Sequence, residues 1–225
     1  MAEFSIHPKE LADILANAVD VGKDKTTHPL IYLRASGDTL HAYGRGRYAA
    51  GTDSRQFTAG EPQYAELVIT EDEAAELAST LRAVEGAGRK GTTVGVSLTE
   101  RSRLVVEDGA QVLCDLPDAD TSEVSFGMPD EVSDWEEIDE LLAEIANHPQ
   151  VIHPLGFQKD ILARMNKIRA DSNVMDIASH PTGHAIGVAL GSTFRALVAG
   201  VDRQSYANGG KWGDGPGTPE HLWEA

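Results

Sequence analysis

Ile6-His7-Pro8, followed by Asp13-Ile14-Leu15, returns later in the chain as Ile152-His153-Pro154 followed by Asp160-Ile161-Leu162. A tripeptide pair that recurs in the same order points to a duplicated structural unit, and the residues around each copy say what that unit is. Pro8 stands where a first helical turn tolerates proline, and Leu11, Ile14, Leu15, Ala18 and Val19 follow at helical spacing. After Pro29 the pattern changes. Leu30-Ile31-Tyr32-Leu33, Thr39-Leu40-His41-Ala42-Tyr43 and Tyr48-Ala49-Ala50-Gly51-Thr52 are short β-type runs, parted by Ser36-Gly37-Asp38 and Gly44-Arg45-Gly46-Arg47, where glycine supplies turn geometry. The unit is therefore strand, helix, three strands.

The same order appears twice more. Residues 65–70 read as a strand and 71–85 as a helix, with Thr70 as N-cap and Glu73 at the capping-box position. Strands are predicted at 93–98, 103–107 and 111–116, with Asp108-Gly109 as a hairpin turn. The copy opening at Val151 predicts a helix over 157–170 and strands at 174–178, 184–189 and 194–199. Between the second and third of these units lie a short strand, 123–126, and an acidic amphipathic helix, 134–147. The apolar stripe of that helix is Trp135, Ile138, Leu141, Leu142 and Ile145. This stretch reads as a further copy that has lost its three strands. Two copies per domain give a first domain over 1–120 and a shortened second over 121–203. Residues 204–225 form a Gly/Pro-rich tail in which Trp212, Leu222 and Trp223 are more apolar than a linker needs.

The chain has 225 residues, 36 Asp+Glu and 19 Lys+Arg, a formal charge of −17. Fourteen of the acids fall between Arg103 and Lys159, a stretch with no base, so the rest of the chain is nearly neutral. The acidic balance excludes a protein that wraps nucleic acid with its whole surface but allows one basic face. A single cysteine, Cys114, permits no intramolecular disulfide and no thiolate zinc cage, which suits a reducing cytoplasm. No apolar run is long enough to span a bilayer.

Catalytic signatures are missing. The Gly44–Gly51 stretch has its third glycine misplaced for a phosphate loop and no Lys-Ser/Thr after it. His148, His153, His180 and His184 lack metal-ligand spacing, no serine lies in a Gly-x-Ser-x-Gly elbow, and Cys114 sits inside an apolar strand, where a thiol is packing. The sequence predicts no enzyme and no cofactor.

A strand–helix–three-strand unit used twice per domain in such a chain resembles the DNA sliding clamps, the bacterial DNA polymerase III beta subunit and its phage and two-domain relatives. Leu11 through Leu33 with the Thr26-Thr27-His28-Pro29 lead-in carry the resemblance at one end. Ile152-His153-Pro154, Gly183-His184-Ala185-Ile186-Gly187-Val188 and Phe194 through Val201 carry it at the other. Ala199-Gly200-Val201-Asp202-Arg203 departs from the family's closing Met-Pro pattern.

The resemblance implies an α+β fold of two clamp-like domains, antiparallel sheets with helices on one face, and a non-catalytic processivity factor. Its partners would be double-stranded DNA, held through phosphate, and a DNA polymerase or other replication or recombination protein. Two domains per chain imply a homotrimeric ring. The helix at 157–170 carries Lys159, Arg164, Lys167 and Arg169 against Asp160, which suits a DNA-facing surface, with Arg82, Arg89 and Lys90 as further candidates. Arg45 and Arg47, in a predicted turn, are weaker ones. The acidic helix at 134–147 would repel phosphate, so it either faces away from DNA or marks an adaptor, phage-borne or otherwise, that binds a protein and does not encircle DNA.

Overall fold

The repeated unit exchanges strands between its copies. In the computed structural model, which describes residues 1–23, 30–46, 49–86, 92–119, 135–147, 159–172, 174–179 and 185–199, the elements run β1 (Ala2–Ile6), α1 (Pro8–Gly22), β2 (Leu30–Gly37), β3 (Thr39–Arg45), β4 (Ala49–Gln56), β5 (Gln63–Thr70), α2 (Glu71–Gly86), β6 (Val94–Thr99), β7 (Arg103–Asp108), β8 (Gln111–Pro117), α3 (Trp135–Asn147), α4 (Lys159–Met165), β9 (Met175–Ser179), β10 (Ala185–Leu190) and β11 (Phe194–Ala199). β1 joins the strands of the second copy, in the order β1-β6-β7-β8, and β5 joins those of the first. The larger sheet continues through β4 into the last copy, giving β5-β2-β3-β4-β11-β10-β9. Every pairing is antiparallel, and the β4–β11 junction sets Thr52 opposite Arg195 and Ala49 opposite Val198.

Local chemistry fixes the element ends. His7 caps α1, its Nδ1 accepting from Lys9 N at 3.3 Å, and Pro8 occupies the first turn. The capping box of α2 forms as expected: Thr70 N donates to Glu73 Oε2 at 2.9 Å and Glu73 N to Thr70 Oγ1 at 3.3 Å. The hairpins β7–β8 and β10–β11 turn at Gly109 (φ 62°) and Gly191 (φ 60°), left-handed positions that glycine occupies without steric cost.

One core joins α1 and α2 to the inward faces of both sheets. Leu11, Ile14, Leu15 and Ala18 of α1 and Leu77, Ala78 and Leu81 of α2 pack against Leu33, Leu67, Ile69, Val96 and Leu104. Each fully buried aliphatic side chain contributes about 1.5–3 kcal/mol. α1 sits so close to β3 that a Cβ on Gly44 would lie 1.9 Å from Ala18 O. A second core, with Val21, Ile161, Met165, Ile186, Val188 and Phe194, attaches α4 to β10, β11 and the end of α1.

α3 takes the other side of the sheet. Successive strand residues point to opposite faces. Ala49 packs with Val21 and Ile161, whereas Ala50 packs with Ile138 of α3. On β10, Ile186 and Val188 face α4, and Gly187 lies under Ile145, whose Cγ2 would stand 2.9 Å from an added Cβ. The helices α1, α2 and α4 therefore share one face, and the acidic helix lies on the reverse.

Two local expectations need correcting. α4 ends at Met165 rather than continuing to residue 170, because Asn17 of α1 binds the Arg169 backbone at two points. Arg169 N donates to Asn17 Oδ1 and Asn17 Nδ2 donates to Arg169 O, both at 2.9 Å. Arg45 ends β3 and is 6% exposed, not in an open turn; a run that pairs through Arg45 with Ala50 of β4 leaves the turn to begin later. The predicted strand 123–126, the opening of the third unit at 151–154, the tail, His148, His153, His180, His184 and Arg47 lie outside the described residues.

Candidate nucleic-acid interface

The face formed by α2, α1 and α4 is the surface on which the predicted cations can be tested one by one. Lys167 is exposed in the turn that ends α4, where its N–H donates to Arg164 O at 2.8 Å. Arg164 is half-buried and leans toward α1, donating from NH1 to the carbonyl of Lys23. Arg169 is 41% exposed in its side chain and stands between two carboxylates of α1, 3.7 Å from Asp13 and 3.7 Å from Asp20. Lys159 is the first residue of α4, and its side chain is outside the description. Arg82 is exposed near the end of α2. Arg89 and Lys90 lie outside the described residues.

These positions divide the cations into two kinds. Exposed ion pairs are weak, about 0–1 kcal/mol each, so Arg169 is not locked in place. Its charge is nonetheless outnumbered: one guanidinium between two carboxylates presents a net negative group to an approaching phosphate. Lys167 has the open position in this group.

Sequence reasoning missed the α1 half of this arrangement. Asp13, Asn17 and Asp20 are spaced i, i+4, i+7, so they form a polar stripe along one side of a helix whose other side is apolar. That spacing was there to be read. What it could not reveal is that the stripe faces α4.

Potential along the helix layer is uneven. α2 contains Glu71, Asp72, Glu73, Glu76 and Glu85 against Arg82 alone. α1 contains Glu10, Asp13 and Asp20 against Lys9. By sequence the 157–170 segment is the basic one of the layer, with Lys159, Arg164, Lys167 and Arg169 against Asp160. Burial holds the Glu71 carboxyl above its ordinary range, partly offset by Lys23.

Beneath that end lies a buried polar joint. Asn17 (0% exposed) donates from Nδ2 to Asp53 Oδ2 at 2.7 Å. Asp53 Oδ1 accepts from Ser54 N at 2.9 Å and from Arg55 NH1 at 2.6 Å, and Arg55 NH1 also reaches Thr193 Oγ1 at 2.6 Å in the β10–β11 turn. One network thus ties α1, β4, the segment after α4 and the β10–β11 hairpin together.

The opposite face carries a second polar cluster, which seats α3. Tyr43 donates to Asp139 Oδ2 at 2.7 Å, Arg34 approaches the same carboxylate at 3.6 Å, and Arg34 lies 5.8 Å from the Tyr43 ring centroid. Beside them Tyr32 donates to Glu66, which also accepts from Arg101 at 2.8 Å. Burial, then the bond to Asp139, pushes the Tyr43 phenol well above its usual range, and burial with Glu66 does the same to Tyr32. His41 is held below its ordinary value by burial and then by Arg34. Tyr43 is tied to Asp139 and Tyr32 to Glu66, whereas Arg34 Nε is buried without a hydrogen-bond partner.

Among the described residues no group of three or more His, Cys, Asp or Glu could hold a metal ion. No helix among them is long and apolar enough to cross a membrane. Burial raises the Cys114 thiol to about 11, as expected of a packing residue.

No protein-family profile and no curated protein matches this chain. Solved structures do. The chain is similar to the DNA polymerase III subunit beta from Pseudomonas aeruginosa (TM-score 0.58, 12% identity), with 94% of this chain and 66% of that one covered. It is similar to a putative DNA polymerase III beta subunit from Eubacterium rectale (TM-score 0.62, 9% identity, 95% and 66% covered). It is also similar to the C. crescentus beta sliding clamp (TM-score 0.61, 14% identity, 95% and 66% covered). The chain spans about two thirds of the length of these clamps, and its α+β fold is that of a sliding clamp.

Proposed function

We propose that this chain is a clamp-like processivity factor, a cytoplasmic tether that holds a DNA polymerase or related replication protein on duplex DNA by binding and not by catalysis. The observation that carries the reading is the helix layer α2–α1–α4, backed by two antiparallel sheets and overlapping solved sliding clamps over nearly the whole chain. In this reading residues 1–120 are one clamp-like unit, 121–203 a shortened second, and 204–225 an appended tail. DNA contact falls to the α4 end, with Lys159, Lys167 and Arg164 foremost and Arg169, Arg82, Arg89 and Lys90 secondary. Such contacts would be to phosphate and blind to sequence.

The sheet edges support assembly from several copies, with a homotrimer as the expected ring. β8 is the internal counterpart of β11: each follows a positive-φ glycine, and Cys114 pairs with Val106 as Ala196 pairs with Val188. β11 is covered by β4, whereas the outer edge of β8 has no strand partner among the described residues. An open edge of that kind is suited to joining a neighbour.

The test is retention on DNA. Native mass measurement gives the subunit number, and binding to nicked circular duplex is compared with binding to the same DNA linearised, across a salt series. Retention on the circle that is lost on linearisation, and weakened by Lys167→Glu, supports the reading. Absence of DNA binding at low salt, with no response to charge reversal at Arg164 and Lys167, removes it. That outcome would leave the chain as a clamp-fold adaptor acting through its acidic outer helix.

A further inference from the structure

The turn that follows α4 is held from underneath. Met165 and Ile168 are buried in the second core, and between them Asn166 and Lys167 stand in solvent. Across this turn the backbone bonds reach back three residues instead of four: Lys167 N donates to Arg164 O at 2.8 Å and Ile168 N to Met165 O at 3.2 Å. In a continued α-helix Arg169 N would donate to Met165 O. Asn17 Oδ1 takes that donor instead, at 2.9 Å, while Asn17 Nδ2 donates to Arg169 O at 2.9 Å. The segment's own pattern reads as helix through residue 170, so the stop is imposed from α1.

Asn17 is itself oriented by its neighbours. It is fully buried, and its Nδ2 also donates to Asp53 Oδ2 at 2.7 Å. Asp53 is fixed in turn by Ser54 N and Arg55 NH1, and Arg55 NH2 lies 3.5 Å from Arg169 O, so that carbonyl is approached by two donors. Two residues further on, Asp171 accepts from Ser192 N at 3.1 Å and from Ser192 Oγ at 2.9 Å. The chain is thus gripped at Arg169 and again at Asp171, immediately after Lys167. Arg169 lends its backbone to this joint and its charge to Asp13 and Asp20. Lys167 keeps its charge for whatever approaches the helix layer.

We propose that Asn17 is a positioning residue for phosphate contact: by taking the Arg169 amide it ends α4 early and holds Lys167 outward, with Asp53 and Arg55 orienting Asn17. The proposal rests on the DNA-facing reading of the α4 end. It adds that the strength of the Lys167 contact is set on α1, by a buried amide that no phosphate touches. A cation on an ordered backbone meets its partner without the ordering cost that a loose segment adds.

The test is a double-mutant cycle on the full chain, with anisotropy of a labelled duplex across a salt series and amide exchange of Arg169 followed by NMR. Lys167→Ala should make the salt slope shallower by about 1 in the unsubstituted chain and change it far less in Asn17→Ala, where Lys167 has already lost its place. The Arg169 amide should exchange at least about tenfold faster in Asn17→Ala. Asn17→Asp combined with Asp53→Asn returns an acceptor to Arg169 N, and should restore both the slow exchange and the response to Lys167→Ala. All variants are compared at a temperature where circular dichroism shows native chain, and Asn17→Ser stands in if Asn17→Ala does not fold. Equal effects of Lys167→Ala in the two backgrounds overturn the proposal, as does an Arg169 amide indifferent to Asn17. If the amide responds to Asn17 but Lys167→Ala leaves DNA binding of the unsubstituted chain unchanged, the DNA-facing reading fails and the positioning role falls with it.

Discussion

Asn17→Ala removes the residue on which the joint between α1, β4 and the α4 segment depends. The side chain is fully buried and makes three hydrogen bonds: one to the carboxylate of Asp53 at 2.7 Å and two to the Arg169 backbone at 2.9 Å each. A hydrogen bond to a charged group is worth about 1.5–3 kcal/mol and a neutral one about 1 kcal/mol, so the three together come to about 3–5 kcal/mol. Alanine supplies no substitute, and water has little access to Asp53, whose side chain is 0% exposed. In a chain of this size each kcal/mol moves Tm by about 2–4 °C, so the variant should melt at least about 6 °C lower. Urea denaturation followed by both fluorescence and circular dichroism gives the measurement, since coincident transitions license a single free energy. The midpoint should fall with little change in slope. Asp53→Ala in the same background should cost less than the sum of the single effects, because the stranded carboxylate goes with it. A loss under about 1 kcal/mol for Asn17→Ala would refute the reasoning, since the network would then contribute no more than a surface contact.

Other expectations follow from the same coordinates. Gly44→Ala drives a methyl group into the Ala18 carbonyl; with backbone on both sides of the clash it should cost about 3 kcal/mol or more, read as a large fall in urea midpoint or no folded protein. Asp13→Asn with Asp20→Asn frees Arg169 from its two carboxylates and should strengthen DNA binding, whereas Lys167→Glu should weaken it and lower the salt slope by about 1. Fluorescence anisotropy on a labelled duplex across a salt series measures both, and equal effects of substituting Lys167 and Arg169 would contradict the geometry. Cys114, with a thiol pushed up from 9.0 to about 11, should react with a disulfide reagent at pH 8 at least about 100-fold more slowly in the folded than in the urea-unfolded chain, because the thiolate is the reactive form. Tyr32 and Tyr43 are raised in the same sense. All three acids hold their protons in the folded state after the unfolded chain has released them, so stability is complete below about pH 9 and declines as pH rises above it. Alkaline urea titrations that show constant midpoints from pH 8 to 11 would be inconsistent with that sign.

The elements of this protein were legible because their signals are local. Thr70 and Glu73 announce α2 by a reciprocal pair of hydrogen bonds three residues apart. Asp108-Gly109 announces a hairpin by a backbone angle that glycine favours, and Leu11, Ile14, Leu15 and Ala18 announce α1 by period. The candidate interface was legible only in part. The basic character of the α4 segment could be counted. That Arg169 stands between Asp13 and Asp20, and that α4 stops at Met165 because Asn17 takes hold of the Arg169 backbone, depends on residues about 150 positions apart.

What the sequence determined alone was therefore an inventory: a repeated strand–helix–three-strand unit and an amphipathic acidic helix. Each element follows from residue spacing within a dozen or so positions, and the unit from the order in which the elements recur. The tertiary structure decided which sheet β1 and β5 enter, that β4 continues into β11, and that α3 covers the outer face of the sheet. An apolar stripe specifies that a helix must be covered but not by what. A strand likewise offers two hydrogen-bonding edges without naming the neighbour, and only the assembled chain, by filling every other position, selects one.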